Sequence, residues 1–141
     1  MLHPAPTTPI DPSLSRGVLH EVSASHIVIE FPNTNYLMHL KPTSPITTPV
    51  GKRIIGTITV SARRVDIVET GGKYVEPVTG RPRRVQGRVV STDARTNNLV
   101  VDAGMSLHLK LTDPRQRADG FKPGDLVSCD VLEGATFSPQ S

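Results

Sequence analysis

The sequence has one cysteine, no tryptophan and only five other aromatic residues, three Phe and two Tyr, in 141 positions. A single cysteine excludes an internal disulfide and a zinc site built on several cysteines. The core must therefore be built mainly from Val, Ile and Leu. A membrane-spanning helix needs an apolar run of roughly 18 residues, and the sequence has none. The N-terminus also lacks the basic segment and apolar run of a secretory signal, so we expect a cytoplasmic protein with no membrane partner.

Recognisable catalytic motifs are also missing. The chain contains no GxxxxGK[ST] or GxGxxG phosphate-binding loop, no HExxH and no CxxC. We therefore expect no enzymatic activity, no cofactor and no metal site. Alternation places Cys129 on the same apolar face as Val127 and Val131, which predicts a buried core residue rather than a nucleophile because free cysteine is often fully buried.

Positive charge is concentrated near the middle of the chain. Residues 80–88 carry four arginines and no acidic residue, and the rest of the chain has 12 basic and 13 acidic residues against a formal net charge of +3 overall. Guanidinium groups bind phosphates bidentately, and alternation places Arg84 and Arg88 on one side of an extended chain with Gln86 between them. The segment is either a phosphate-contacting ladder or a solvated inter-domain linker. For the first reading the four candidates are Arg81, Arg83, Arg84 and Arg88.

Hydrophobic residues recur with a period of two, which is typical of half-buried strands. Leu107 and Leu109 alternate with polar residues, and residues 53–60 are rich in β-branched side chains. Residues 70–72 lie between two strand-like runs and predict a hairpin turn. Only residues 112–120 suggest a short helix, because proline occupies the first helical position and glycine the end.

An internal repeat organises these strands. The triplet at 39–41, His-Leu-Lys, recurs at 108–110, and Gly17 and Gly87 each open a strand-like run at a similar distance upstream. Each copy reads as three strands, a connector and two strands. This order, with a glycine early in the first strand where a bulge would help it curl, resembles the oligonucleotide/oligosaccharide-binding (OB) fold.

The resemblance implies an all-β protein of two tandem, five-stranded OB-like β-barrels that pack together, with one short helix in the second. The boundaries we expect are a disordered Pro-rich arm over 1–15, a first barrel with an extra hairpin over 16–79, a basic linker over 80–85, a second barrel over 86–137 and a polar tail over 138–141. Barrels of this size bury little surface alone, which favours contact between the two.

Two partial resemblances suggest small ligands. Residues 120–127 (GFKPGDLV) resemble the end of the molybdate-binding Mop/TOBE barrels, and Arg84 to Arg88 fits the RxxxR element of PilZ domains, β-barrels that bind cyclic di-GMP. The second PilZ element, D/NxSxxG, is not met. These resemblances imply, as an alternative function, a binder of a small anion or nucleotide.

The leading functional hypothesis is a non-catalytic module that binds a polyanion, RNA or single-stranded DNA, through the arginines and a barrel face. Secondary contacts are expected from the polar side of the third strand in each copy: His39, Lys41, His108 and Lys110. Base stacking needs aromatic rings, and only Tyr36 and Tyr74 are candidates, so the hypothesis is restricted to salt-sensitive backbone binding. A second alternative is an assembly protein whose exposed strand edges pair with another copy or a protein partner.

Overall fold

The computed structural model describes residues 11–140, and within them the protein is all-β, as the sequence predicts. Eleven strands join one mixed sheet, and the helical content of the described residues is a single 3₁₀ turn, Ala118–Gly120. In chain order the strands are β1 Ser15–Val22, β2 Ile27–Glu30, β3 Leu37–Pro42, β4 Arg53–Ile67, β5 Tyr74–Glu76, β6 Thr79–Gly80, β7 Arg84–Asp93, β8 Asn98–Asp102, β9 Ser106–Leu111, β10 Leu126–Val131 and β11 Thr136–Pro139.

The 15-residue strand β4 connects the two halves of the chain. Its run of β-branched residues alternates between core and surface, and at about 3.3 Å per residue it extends roughly 50 Å. One edge of β4 pairs first with β1 and then, in parallel, with β9. The other edge pairs first with β11 and then with β10. Each half of the chain therefore supplies a strand to the other half.

The pairings form two closed circuits that share β4. From β4 the first circuit runs through β1, β2, β3 and β11, with β3 and β11 parallel. The second runs through β9, β8, β7 and β10, with β9 and β4 parallel. β5 and β6 lie outside these circuits, paired to β7 and β3. The sheet is thus continuous across the predicted boundary between residues 16–79 and 86–137.

The first strands of the two halves, β1 and β7, each contain a glycine followed by a β-bulge. A side chain at Gly17 would place its Cβ 2.6 Å from the carbonyl oxygen of Glu30, and one at Gly87 would collide with the carbonyl oxygen of Asp102. The bulge lies two residues later in both strands, after Leu19 in β1 and after Val89 in β7. Bulges bend and twist a strand, so each glycine allows a close backbone approach just before the chain curves.

A single hydrophobic cluster fills the sheet interior. Its members are mainly aliphatic, as the shortage of aromatic residues requires, and include side chains from both halves. Phe137 at the C-terminal end is 1% exposed, and Cys129 is 2% exposed, which confirms its predicted place in the core. Burial raises the pKa of the Cys129 thiol to about 12, so it stays protonated at neutral pH.

Several local predictions are wrong. Of the helix predicted over 112–120 only the 3₁₀ turn at 118–120 forms; before it the chain turns at 114–115, where the Asp113 carboxylate accepts the backbone N–H of Arg115 at 2.9 Å. The predicted hairpin at 70–72 does not form either: β5 pairs with β7, while the end of β4 pairs with β10.

The predicted terminal and linker segments contain ordered strands. Residues 1–10 of the predicted arm lie outside the described residues, whereas residue 15 begins β1. The predicted linker 80–85 starts in β6 and ends in β7, and the predicted tail at 138–141 begins inside β11. These segments gain order from strand partners that are distant in sequence.

Within residues 11–140 no helix is both long enough and apolar enough to cross a membrane.

Candidate nucleic-acid interface

The four residues predicted from the third strand of each copy point away from the core. Strand alternation exposes or half-exposes His39 and Lys41 on β3, and His108 and Lys110 on β9. The residues between and beside them are buried: Met38, Leu40, Leu107 and Leu109.

The strand register places these side chains on one continuous surface. Lys41 lies opposite Thr136 of β11, Thr136 opposite Thr59 of β4, and Thr59 opposite His108 of β9. Paired residues in adjacent strands share a face, and three strand spacings of about 4.8 Å separate β3 from β9 by roughly 14 Å. We call this surface the outer polar face; it comprises His39, Lys41, Thr136, Thr59, His108 and Lys110.

A second histidine lies against the β3 end of this face. The ring of His26 stacks on that of His39, with centroids 4.9 Å apart and planes 9° from parallel. The hydroxyls of Ser23 and Ser25 lie 3.0 and 3.1 Å from His26 Nδ1 and fix the edge of the ring. The sequence analysis did not identify His26 as a candidate. The one local signal was its position two residues before Val28, which places it at the start of the second strand.

The β9 end of the face is arranged differently. His108 Nε2 lies 2.7 Å from the carbonyl oxygen of Ser13, and the Ser106 hydroxyl donates to the carbonyl oxygen of Pro12 at 2.6 Å. Asn98, opposite Lys110, takes the place that His26 has beside Lys41. Residues 12–13 thus cover part of β9, and His108 has no stacked ring partner within the described part of the chain.

Two of the four arginines are bound into the fold. Arg84 donates to Asp130 at 2.8 Å and to Ser128 at 2.9 Å, and hydrogen bonding to Tyr74 and Asp130 raises its pKa above the usual value. Arg88 donates to the carbonyl oxygen of Gly124 at 2.9 Å. Both guanidinium groups thus link β7 to residues in or next to β10.

Arg81 and Arg83 stand apart from that network. In residues 11–140 neither guanidinium makes a hydrogen bond or an ion pair with another residue; Arg83 is exposed and Arg81 half-buried. The predicted ladder along β7 is interrupted, because Gln86 is 8% exposed and donates to the carbonyl oxygen of Gly72 at 2.8 Å. The arginine segment therefore does not form one uniform strip.

A separate open groove of about 670 Å³ contains further arginines. Three ion pairs largely neutralise it, and the hydrogen bonds from Arg115 lower the pKa of Asp113 to about 2. The pairs are Arg64–Asp66 at 3.0 Å, Arg84–Asp130 at 2.8 Å and Arg115–Asp113 at 2.9 Å. Arg63 also lines the groove and takes part in none of them.

Residues 11–140 contain no group of three or more His, Cys, Asp or Glu side chains arranged to hold a metal ion. Comparison of the chain with protein-family models, with curated proteins and with solved structures finds no match.

Proposed function

We propose that the protein is a non-catalytic binding module for a single-stranded polyanion, RNA or DNA, and that the outer polar face is its binding surface. The observation that carries this proposal is the register from Lys41 through Thr136 and Thr59 to His108. It joins polar side chains from both halves of the chain, with the Lys41 ammonium group at one end, and no acidic residue lies on that line. Phosphates are bound by such Lys and hydroxyl groups.

We also propose that each closed circuit is an OB-like unit, and that the two units have exchanged their fifth strands. In an OB-like order the fifth strand runs parallel to the third; β11 does so beside β3, and β4 does so beside β9. The matched glycines and bulges support descent from one duplicated unit. The exchange matters for function because it places the two third strands on one surface. OB folds bind oligonucleotides on the face of strands two and three.

The number of cationic side chains on and beside the outer polar face sets the expected strength of polyanion binding. Lys41 and Lys110 are exposed, and Arg63 lies beyond Ser61, the partner of Lys110. For single strands the logarithm of the binding constant falls by about 0.7 per phosphate contact for each decade of salt. The three contacts on this face contribute about −2 to the slope, and Arg81 and Arg83 at its edge add about −1.4. Binding of this kind is weak and is abolished by high salt.

The test is fluorescence anisotropy of a labelled single-stranded oligonucleotide across a salt series. The double variant Lys41→Ala/Lys110→Ala should weaken binding at low salt and reduce the magnitude of the slope by roughly 1.4, since two contacts are lost. The matched control removes the same charge from two exposed positions outside the face, Lys52→Ala/Lys122→Ala. Equal slopes for the two double variants, or no binding by the wild type at low salt, would rule out this face.

Arg81 and Arg83 are the arginines we assign to phosphate contacts at the edge of the complex. Arg84 and Arg88 are already used by Asp130, Ser128 and Gly124. The double variant Arg81→Ala/Arg83→Ala should therefore reduce the salt slope without changing the melting temperature. Arg84→Ala should instead lower the melting temperature, because it leaves two side chains of β10, Asp130 and Ser128, without their hydrogen-bond donor.

The arginine groove supports a second candidate, binding of a small anion or nucleotide. Four guanidinium groups line one cleft, and Arg63 is outside its three ion pairs. A thermal-shift panel with phosphate, molybdate and cyclic dinucleotides tests this, because a ligand that binds only the folded state raises the melting temperature. An unchanged melting temperature at millimolar ligand would exclude it.

A further inference from the structure

From the stacked imidazoles we infer that His26 and His39 form a base-stacking site, so that the polyanion is held by a nucleobase as well as by its phosphates. This inference rests on the function proposed above. The two imidazole rings, which lie beside Lys41, would provide the flat stacking surface that Phe, Tyr or Trp side chains provide in other proteins. Stacking on a π-face is tolerant of sequence because every base has one.

The pair is organised to receive a third ring. Its planes are 9° from parallel, and the contacts of Ser23 and Ser25 to Nδ1 hold His26 by its edge rather than by its face. Both imidazoles are half-buried, so part of the pair stays open to solvent. Rings that are already fixed lose little conformational freedom when a ligand binds.

The position of Lys41 completes the site. It follows His39 by two residues on the same face of β3, about 6.6 Å along the strand. A nucleotide whose base stacks on the histidine pair can therefore place its phosphate near the Lys41 ammonium group. The site recognises one unpaired nucleotide, which favours a single strand over a duplex because duplex bases are already stacked on each other.

The other half of the chain supplies an internal comparison. His108 occupies the corresponding place on β9, yet its ring nitrogen contacts the carbonyl oxygen of Ser13, and Asn98 replaces the second ring. The side-chain oxygen of Asn98 is buried without a hydrogen-bond partner in the described residues. The structure thus offers one stacking site at β3 and none at the matching position of β9.

The experiment compares two labelled single strands of equal length and equal phosphate number, one with natural bases and one with abasic sites. Wild-type protein should bind the natural strand at least about fivefold more tightly. His39→Ala should remove that difference, whereas His39→Phe should keep it because the ring remains. His20→Ala is the matched control and should also keep it, because it removes an exposed histidine of β1 that lies outside the outer polar face. Circular dichroism establishes that each variant retains its fold.

The outcomes separate this inference from the function on which it rests. If wild-type protein binds neither strand at low salt, both fail. If it binds natural and abasic strands equally, with the salt slope intact, the phosphate contacts stand and the stacking site is wrong. A loss of base preference in His20→Ala as large as in His39→Ala, or no preference in His39→Phe, also overturns the assignment.

Discussion

Replacing Phe137 by alanine tests the strand exchange directly. Phe137 lies four residues before the C-terminus and is 1% exposed, because β11 is inserted between β3 and β4. Truncation of a buried Phe to Ala costs about 3–5 kcal/mol, from lost transfer free energy and the cavity left behind. In a domain of this size that corresponds to a drop in melting temperature of roughly 10–20 °C.

The assay is thermal and urea unfolding followed by circular dichroism, with Ser138→Ala as the control. Ser138 is the next residue of the same strand, and its half-exposed hydroxyl shares one hydrogen bond of 2.8 Å with Thr43. Its removal should cost less than about 1 kcal/mol. Hydrogen exchange adds a local readout: in Phe137→Ala the amides of β3 should exchange faster, and those of β8 should change least.

A melting temperature for Phe137→Ala no lower than that of Ser138→Ala would refute the reasoning. It would mean that the end of the chain does not complete the first circuit. Equal acceleration of exchange in β3 and β8 would contradict the assignment of β11 to one circuit, even if the overall loss of stability had the expected size.

Two further predictions concern polar contacts. The side chain of Gln116 accepts the backbone N–H of Val65 at 2.8 Å and donates to the carbonyl oxygen of Val65 at 2.7 Å. Gln116→Ala should lower the free energy of unfolding, measured in urea, by about 1–3 kcal/mol, because both backbone groups lose their partner. An unchanged free energy of unfolding would show that solvent replaces the side chain. Burial opposes ionisation of Asp102, but hydrogen bonds from Lys73 at 2.6 Å and from the N–H of Gly104 outweigh it and lower its pKa. Since the folded pKa is below the unfolded value, this contribution is complete above about pH 4 and is lost as the pH falls through the folded pKa. The difference in stability between wild type and Asp102→Asn, less than about 1 kcal/mol for so exposed a pair, should therefore shrink between pH 5 and pH 2.5, and a constant difference would contradict the assignment.

The sequence by itself determined that the chain is built from strands, and which side chains of β2, β4 and β9 face the core. The alternation of β9 correctly separates Leu107 and Leu109 from His108 and Lys110, because a pleated strand sends successive side chains to opposite sides. Asn33 at φ 61° and Gly104 at φ 102° lie in the turns between β2 and β3 and between β8 and β9, since these residue types tolerate a left-handed backbone. Such signals are local, and they hold wherever the strand is placed.

Only the tertiary structure decided which strands are neighbours. Alternation says that β4 and β11 have an inner face, but any strand with a matching inner face satisfies that pattern, so the parallel pairing of β9 with β4 has no local signature. The same holds for the proposed binding surface: the sequence separates His39 from His26 by 13 positions and gives no reason to stack them. Their contact follows from the register of β2 on β3, which core packing fixes because a slip of one residue would turn the apolar side chains outward.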